Sequence, residues 1–191
     1  MSSAATSGFF TRGVRPDWHL PHPPLGLPVI LLIRRVLLRA FELLREQNYN
    51  LAAATEDQVT AALRSTIENN LRQTGEVKGF NKRTFEFVVR QGQWHNFNGT
   101  VVTKTPDLFF NLRDDDSRRA RALSEFDGLF IEAKPMDAKH PAGSKYCDDG
   151  LIRFVRGDYA WAMQEAMMLA YTRGGRTISG HLPALEDGLP R

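Results

Sequence analysis

Two apolar stretches of the chain carry ionisable side chains where a buried strand would be expected to have none. Asp107 lies near the start of "TPDLFFNL", and Glu132 and Lys134 lie near the end of "FDGLFIEAKP". An unpaired charge inside a protein is strongly unfavourable, so these groups must pair with one another or with a bound ion. Carboxylate oxygens are hard ligands that suit Mg²⁺ or Mn²⁺, and a lysine beside such an ion can position water or neutralise charge on a phosphate. These residue types are the ones that a metal-dependent phosphodiester-cleaving site needs.

The pattern of an acid, any residue and a lysine is short, and a chain with 22 acids and 6 lysines contains about one copy by chance. It occurs here three times, and the dipeptide Pro-Asp occurs twice: Glu76–Lys78, Glu132–Lys134, Asp137–Lys139, Pro16-Asp17 and Pro106-Asp107. Only Asp107 with Glu132 and Lys134 places every charge on a predicted strand. The structural alternative for these three residues is a salt bridge between strand ends.

Three predicted strands would position these charges, over residues 84–90, 101–112 and 126–134. The charged stretch 113–125 is predicted as the long loop between the second and third strands. Side chains alternate along a strand, so Glu132 and Lys134 share one face of the third. Pro135 is expected to end that strand, because proline cannot donate to a central ladder.

Helices are predicted on both sides of these strands. A largely apolar helix runs from Pro28 to about Gln47. A second begins after the N-cap Thr55 and ends at Gly75, with four apolar side chains on its buried face, Val59, Leu63, Ile67 and Leu71. After the third strand, residues 136–150 are predicted as a loop. A helix follows from about Tyr159 to Thr172, and "GGRTISGHL" is a possible last strand.

With Pro106-Asp107 followed by Glu132-Ala133-Lys134, the chain resembles the PD-(D/E)XK nuclease superfamily. The resemblance implies an α/β fold, with an α-β-β-β-α-β restriction-endonuclease-like core, a mixed central sheet flanked by helices, and an extra N-terminal helix. The expected organisation is an extended Pro-rich arm (1–26), an N-terminal helix packing on the core (27–54) and the nuclease-like domain (55–191).

The resemblance also implies roles for individual residues. Asp107 and Glu132 would hold Mg²⁺ or Mn²⁺ together with the carbonyl of Ala133, and Lys134 would position or help deprotonate the attacking water. Glu56, in the first turn of the second helix, would support the metal as a further acidic ligand. The structural alternative for Glu56 is an acid favoured there by the helix dipole.

Further site residues are expected around this set. Glu68 is the alternative to Glu56 as the acid of that helix, and Gln164 in the last helix would face the site together with Tyr171. Three basic residues before that helix would contact nucleic-acid phosphates, unless they lie in an ordinary solvated loop: Lys145, Arg153 and Arg156.

Composition bounds the partners and the compartment. The net charge is only +3, but 19 arginines against 6 lysines suit a phosphate-rich partner, unless the bias reflects codon usage. The single cysteine, Cys147, favours a reducing cytoplasmic setting, and no secretory or membrane-spanning segment is predicted. DNA is the expected substrate, with RNA left open, and the N-terminal helix is a possible homodimer contact.

Two other functions remain open at this stage. The chain could be a catalytically inactive nuclease-fold module that binds nucleic acid or a protein. It could also be a protein that docks on a membrane or a partner through the helix at 28–47.

Overall fold

The computed structural model describes residues 25–92, 105–113, 127–137, 139–155 and 165–173. Nearly all of the predicted arm and the possible strand in "GGRTISGHL" lie outside these ranges. The predicted loop at 113–125 lies outside them as well, apart from Arg113.

Two helices precede the sheet. Helix α1 spans Leu27–Glu46, as predicted. Helix α2 spans 56–74, with a π-helical segment at Ile67–Leu71 between two α-helical parts. Thr55 and Gln58 form a reciprocal capping box at its start, which satisfies two backbone N–H groups. Gly75 ends the helix in the left-handed region, where glycine is favoured. The four predicted core positions of α2 are fully buried.

Four strands form one mixed sheet in the order β1-β2-β3-β4. Their bounds are Phe85–Arg90, Leu108–Leu112, Gly128–Met136 and Ala166–Thr172. Strand β2 runs antiparallel to both β1 and β3, and β4 runs parallel to β3. Strand β2 begins at Leu108, so the described residues 105–107, which are predicted as part of the second strand, precede it.

The region after β3 corrects the sequence prediction. Residues 142–155, most of which were predicted as loop, form helix α3, with a π-helical part at Ala142–Leu151 and an α-helical part at Ile152–Val155. The predicted helix from Tyr159 to Thr172 is wrong over Ala166–Thr172, which is strand β4. Alanine, methionine and leucine favour a helix locally, but pairing with β3 supplies a complete ladder that overrides this preference. A parallel pair also needs a crossover connection, and α3 lies in that connection.

Pro135 does not end β3, contrary to prediction. The strand continues to Met136 and pairs with β4 through Pro135 and Tyr171. Within the described residues, β2 pairs with β3 from Gly128 to Ile131, and Pro135 lies beyond the last of these pairs. Proline is tolerated in a strand where no neighbour needs its missing backbone donor.

The described part of the chain is thus a mixed α/β unit with a four-stranded sheet and three helices, which confirms the predicted class. Buried side chains of α1, α2 and all four strands form one apolar core. Both faces of β3 are covered, since every residue of this strand is buried. No helix in the described ranges has the length and apolarity needed to cross a membrane.

Candidate active site

The site lies where β2 begins and β3 approaches its end. The rings of Phe109 and Phe130 stack at 4.3 Å between centroids and hold the two strands in register. Alternation along β3 places Glu132 and Lys134 on the same face as Phe130. Asp107 precedes β2 and turns to β3, where its Oδ2 accepts a hydrogen bond of 2.7 Å from the Ala133 N–H. Sheet register therefore brings together two acids that are 25 residues apart.

Lys134 is the centre of the cluster. Its Nζ lies 2.7 Å from Glu56 Oε1, 2.8 Å from Glu132 Oε1 and 4.0 Å from Asp107 Oδ2. The expected convergence of the two acids and the lysine is therefore observed, and Glu56 joins them from the first turn of α2.

Some side chains of the cluster are buried, and others are partly exposed to solvent. Asp107, Glu132 and Lys134 are buried, with Glu132 only 1% exposed. The side chain of Glu56 is 34% exposed, and that of Arg153, which also contacts Glu132, is 35% exposed. A purely structural salt bridge needs no opening, whereas a site for a dissolved substrate must reach the surface.

Burial has the largest effect on the charge state of Asp107. Burial, followed by the charge of Glu132, raises the pKa of Asp107 to about 7. The Ala133 N–H and Lys134 oppose this rise only in part. A cation beside Asp107 and Glu132 would relieve the repulsion, as in other sites where two carboxylates lie close together.

Lys134 stays charged in this environment. Burial by itself lowers the pKa of Lys134, but hydrogen bonds to Glu132 and Glu56 raise it above the ordinary value. The ammonium is therefore a fixed positive charge and a hydrogen-bond donor at neutral pH. Orienting water and neutralising charge suit it better than accepting a proton.

Helix α3 covers the same face of the sheet and brings a second cation. Arg153 Nη1 donates a 2.8 Å hydrogen bond to Glu132 Oε1, the oxygen that also contacts Lys134. The helix packs closely on this face, because a Cβ at Gly150 would lie 2.5 Å from Met168 Cε, the end of a flexible side chain, and in ordinary contact with Lys134 Cγ at 3.6 Å. The sequence does not predict the pairing of Arg153 with Glu132, because residues 136–150, which include most of α3, are predicted as a loop.

Of the other residues that the sequence places near the site, Lys145 and Tyr171 lie within the described ranges. Lys145 Nζ pairs with Asp149 Oδ2 at 2.6 Å on the exposed side of α3, and Asp149 lies close enough to Arg153 and Lys134 for their charges to lower its pKa. Arg156 lies outside the described residues, as does Gln164. Tyr171 cannot share a helix face with Gln164 as predicted, because it belongs to β4, where it packs against Phe41 of α1.

Glu68, the alternative helix acid, serves another purpose. Its carboxylate pairs with Arg72 at 2.9 Å and accepts a 2.7 Å hydrogen bond from the Val88 N–H. It therefore fastens α2 to β1, whereas Glu56 reaches the acid cluster.

The two competing acid-lysine matches also have structural roles. Glu76 pairs with Arg39 of α1 at 2.5 Å. Asp137 accepts hydrogen bonds from the backbone of Lys139 and from both the backbone and the ring of His140, which closes a turn. The third match, Glu132–Lys134, is the one that lies beside further carboxylates.

The carboxylates of the cluster provide some of the oxygen ligands that a divalent cation needs. Within the described ranges, no three His, Cys, Asp or Glu side chains are gathered as a metal-binding group. Mg²⁺ commonly keeps several waters and takes only one or two protein carboxylates. Asp107 and Glu132 supply two such oxygen donors, and the charge of Glu132 contributes, after burial, to the raised pKa of Asp107. The residues present therefore fit Mg²⁺ or Mn²⁺ in chemistry.

Comparisons of the chain with protein-family models, with curated proteins and with solved structures found no match. Function is therefore inferred from the chemistry of the site.

Proposed function

We propose that the protein is a metal-dependent nuclease of the PD-(D/E)XK type that hydrolyses phosphodiester bonds of DNA. The observation that carries the proposal is the contact of Lys134 Nζ with three carboxylates at 2.7, 2.8 and 4.0 Å, at a site that opens to the surface. The described order of one helix, three strands, one helix and one strand after α1 is the order that the resemblance implies, and it supports the proposal.

The proposed reaction adds water across one P–O bond. The water oxygen bonds to phosphorus, the bond to the 3′ oxygen breaks, and a proton goes to that oxygen, leaving a 5′-phosphate and a 3′-hydroxyl. A divalent cation held by Asp107 and Glu132 would supply a Lewis acid for the phosphate and the attacking water. Lys134 orients the water and stabilises the growing negative charge, while Glu56 holds the ammonium of Lys134 in place.

A cleavage assay tests this function directly. Supercoiled plasmid, single-stranded DNA and RNA would each be incubated with the purified protein over a range of Mg²⁺ and Mn²⁺ concentrations. We expect metal-dependent cleavage of DNA, and Asp107→Ala should abolish it, because this change removes a metal ligand. Lys82→Ala is the control, since Lys82 is exposed and precedes β1, at the end of the sheet opposite Asp107. Equal cleavage by the parent and Asp107→Ala would place the active site elsewhere.

A second candidate function is a nuclease-fold module that binds nucleic acid or a protein without cutting. One observation favours it: Glu132 Oε1 is contacted by two cations, so this acid is satisfied in the absence of a metal. Binding of a short duplex without cleavage at any metal concentration would support this candidate.

The proposed setting is a reducing, cytoplasmic compartment, in which Cys147, buried and free of disulfides, stays a thiol. A homodimer through α1 is proposed for cutting both DNA strands. Three leucines of α1 are exposed and lie within about 40° of one another around the helix axis, namely Leu27, Leu31 and Leu38.

A further inference from the structure

One oxygen of Glu132 has two cationic partners. Lys134 Nζ and Arg153 Nη1 both lie 2.8 Å from Oε1 of this carboxylate. Arg153 reaches it from the α-helical end of α3, 21 residues further along the chain. Glu132 itself is almost completely buried, so its carboxylate oxygens have very little access to solvent.

The two cations differ in how far they are exposed. Lys134 is 9% exposed in its side chain and also contacts Glu56. Arg153 is 35% exposed in its side chain, so part of this side chain already faces solvent. A divalent cation that binds Glu132 repels both groups, and Arg153 is the more exposed of the two.

A guanidinium at the rim of a phosphate-cleaving site has an evident second partner. Its planar donors match two phosphate oxygens, and such charge-assisted hydrogen bonds are among the stronger ones in proteins. A short outward rotation of the Arg153 side chain would exchange a carboxylate partner for a phosphate partner without unfolding α3.

We propose that Arg153 is a substrate-contacting residue that holds Glu132 until a divalent cation binds, and then binds the phosphate of the nucleic acid. The proposal rests on the proposed nuclease function. It makes metal binding and substrate binding mutually dependent, because the same side chain opposes the metal and favours the substrate. Such coupling is reciprocal: metal strengthens nucleic-acid binding by the factor by which nucleic acid strengthens metal binding.

Arg153→Gln is the variant that tests the exchange, with Lys82→Gln as its control. Both changes remove one positive charge, but Lys82 is exposed and precedes β1, at the end of the sheet opposite Asp107. Calorimetry with Mn²⁺ and no nucleic acid should show about tenfold tighter metal binding for Arg153→Gln, since a competing cation is gone. Lys82→Gln should bind Mn²⁺ as the parent does.

The second measurement follows a fluorescent DNA duplex by anisotropy, with Ca²⁺ replacing Mg²⁺ so that cleavage is suppressed. In the parent, Ca²⁺ should strengthen duplex binding, and in Arg153→Gln most of this gain should be lost. Arg153→Lys, which keeps the charge without the planar fork, should recover only part of it. Thermal melts would establish that every variant is folded.

The outcomes separate this inference from the nuclease function. If the parent cleaves DNA but Arg153→Gln leaves both Mn²⁺ affinity and the Ca²⁺ gain unchanged, the exchange is wrong and the nuclease proposal stands. If no substrate is cut but Arg153→Gln binds Mn²⁺ more tightly and loses the Ca²⁺ gain, the exchange stands and the nuclease proposal is wrong. Absence of metal binding in both the parent and Arg153→Gln would overturn both.

Discussion

At the scale of single residues, the chemistry depends on a lysine that stays charged. Lys134 is buried among carboxylates, and hydrogen bonds to Glu132 and Glu56 keep its pKa above the ordinary value despite burial. A lysine in an apolar pocket would instead lose its proton and become a base. The neighbours of Lys134 therefore determine which part of the reaction it can perform.

Lys134→Ala should separate metal binding from catalysis. Both proposed metal ligands remain, and losing a nearby positive charge should leave Mn²⁺ affinity equal or higher. Cleavage should nevertheless fall by roughly 10²–10³-fold, the usual effect of removing one positioned donor from a transition state. Single-turnover plasmid cleavage and Mn²⁺ calorimetry would measure the two effects. Full activity in the folded variant would show that Lys134 is only structural.

At the scale of elements, helix α2 supports the site at its first turn and holds the sheet further along. Glu56 contacts Lys134 from the first turn. In the π-helical segment, Glu68 bonds the Val88 N–H and pairs with Arg72, and Arg72 Nη2 donates to the carbonyls of Phe85 and Glu86. These side chains bond backbone groups of β1, the edge strand of the described sheet, which limits pairing with another chain.

Glu68→Gln should destabilise the protein strongly. The change removes the charge that neutralises Arg72, whose side chain is only 5% exposed, and breaking a buried ion pair in this way costs about 3–5 kcal/mol. Glu42→Gln is the control, because solvent screens the exposed pair of Glu42 with Arg39, which should contribute little to stability. Urea unfolding would measure both. Similar small losses would mean that the Glu68–Arg72 contact is dispensable.

At the scale of the whole molecule, the proposed site reduces stability at neutral pH. The pKa of Asp107 is about 7 in the folded protein, against 3.8 for an ordinary aspartate. The folded state therefore binds more protons than the unfolded state between these values, so stability falls as pH rises from about 4 to 7. The upper bound of this loss is about 4 kcal/mol, from the size of the shift.

Asp107→Asn should flatten this part of the pH profile. Asparagine stays neutral, and its oxygen can still accept the Ala133 N–H bond, so the variant should be more stable than the parent near pH 7 without metal. Chemical unfolding at several pH values in the presence of a chelator would measure the difference. Asp57→Asn, at an exposed carboxylate in the first turn of α2 that pairs with Arg90, is the control. Parallel profiles for the parent and Asp107→Asn would contradict the prediction.

Much of the framework was predictable from the sequence, because it follows from local rules. Thr55 with Gln58, the four-residue spacing from Val59 to Leu71 and Gly75 define α2 through capping, periodicity and a left-handed end. Alternation in "FDGLFIEAKP" puts Glu132 and Lys134 on one face of a strand. The sequence therefore predicts that Glu132 and Lys134 lie together on one strand, although their chemical roles remain proposals.

Only the tertiary structure decided the features that depend on distant pairing. Ala166–Thr172 has a helix-forming composition, yet it is a strand because β3 offers it a parallel neighbour. Asp107 meets Ala133 through sheet register, and Arg153 reaches Glu132 because α3 crosses the sheet face. Local sequence cannot encode these contacts, since each depends on where another element packs. Sequence alone therefore determined which residues could form a site, and packing determined which of them meet.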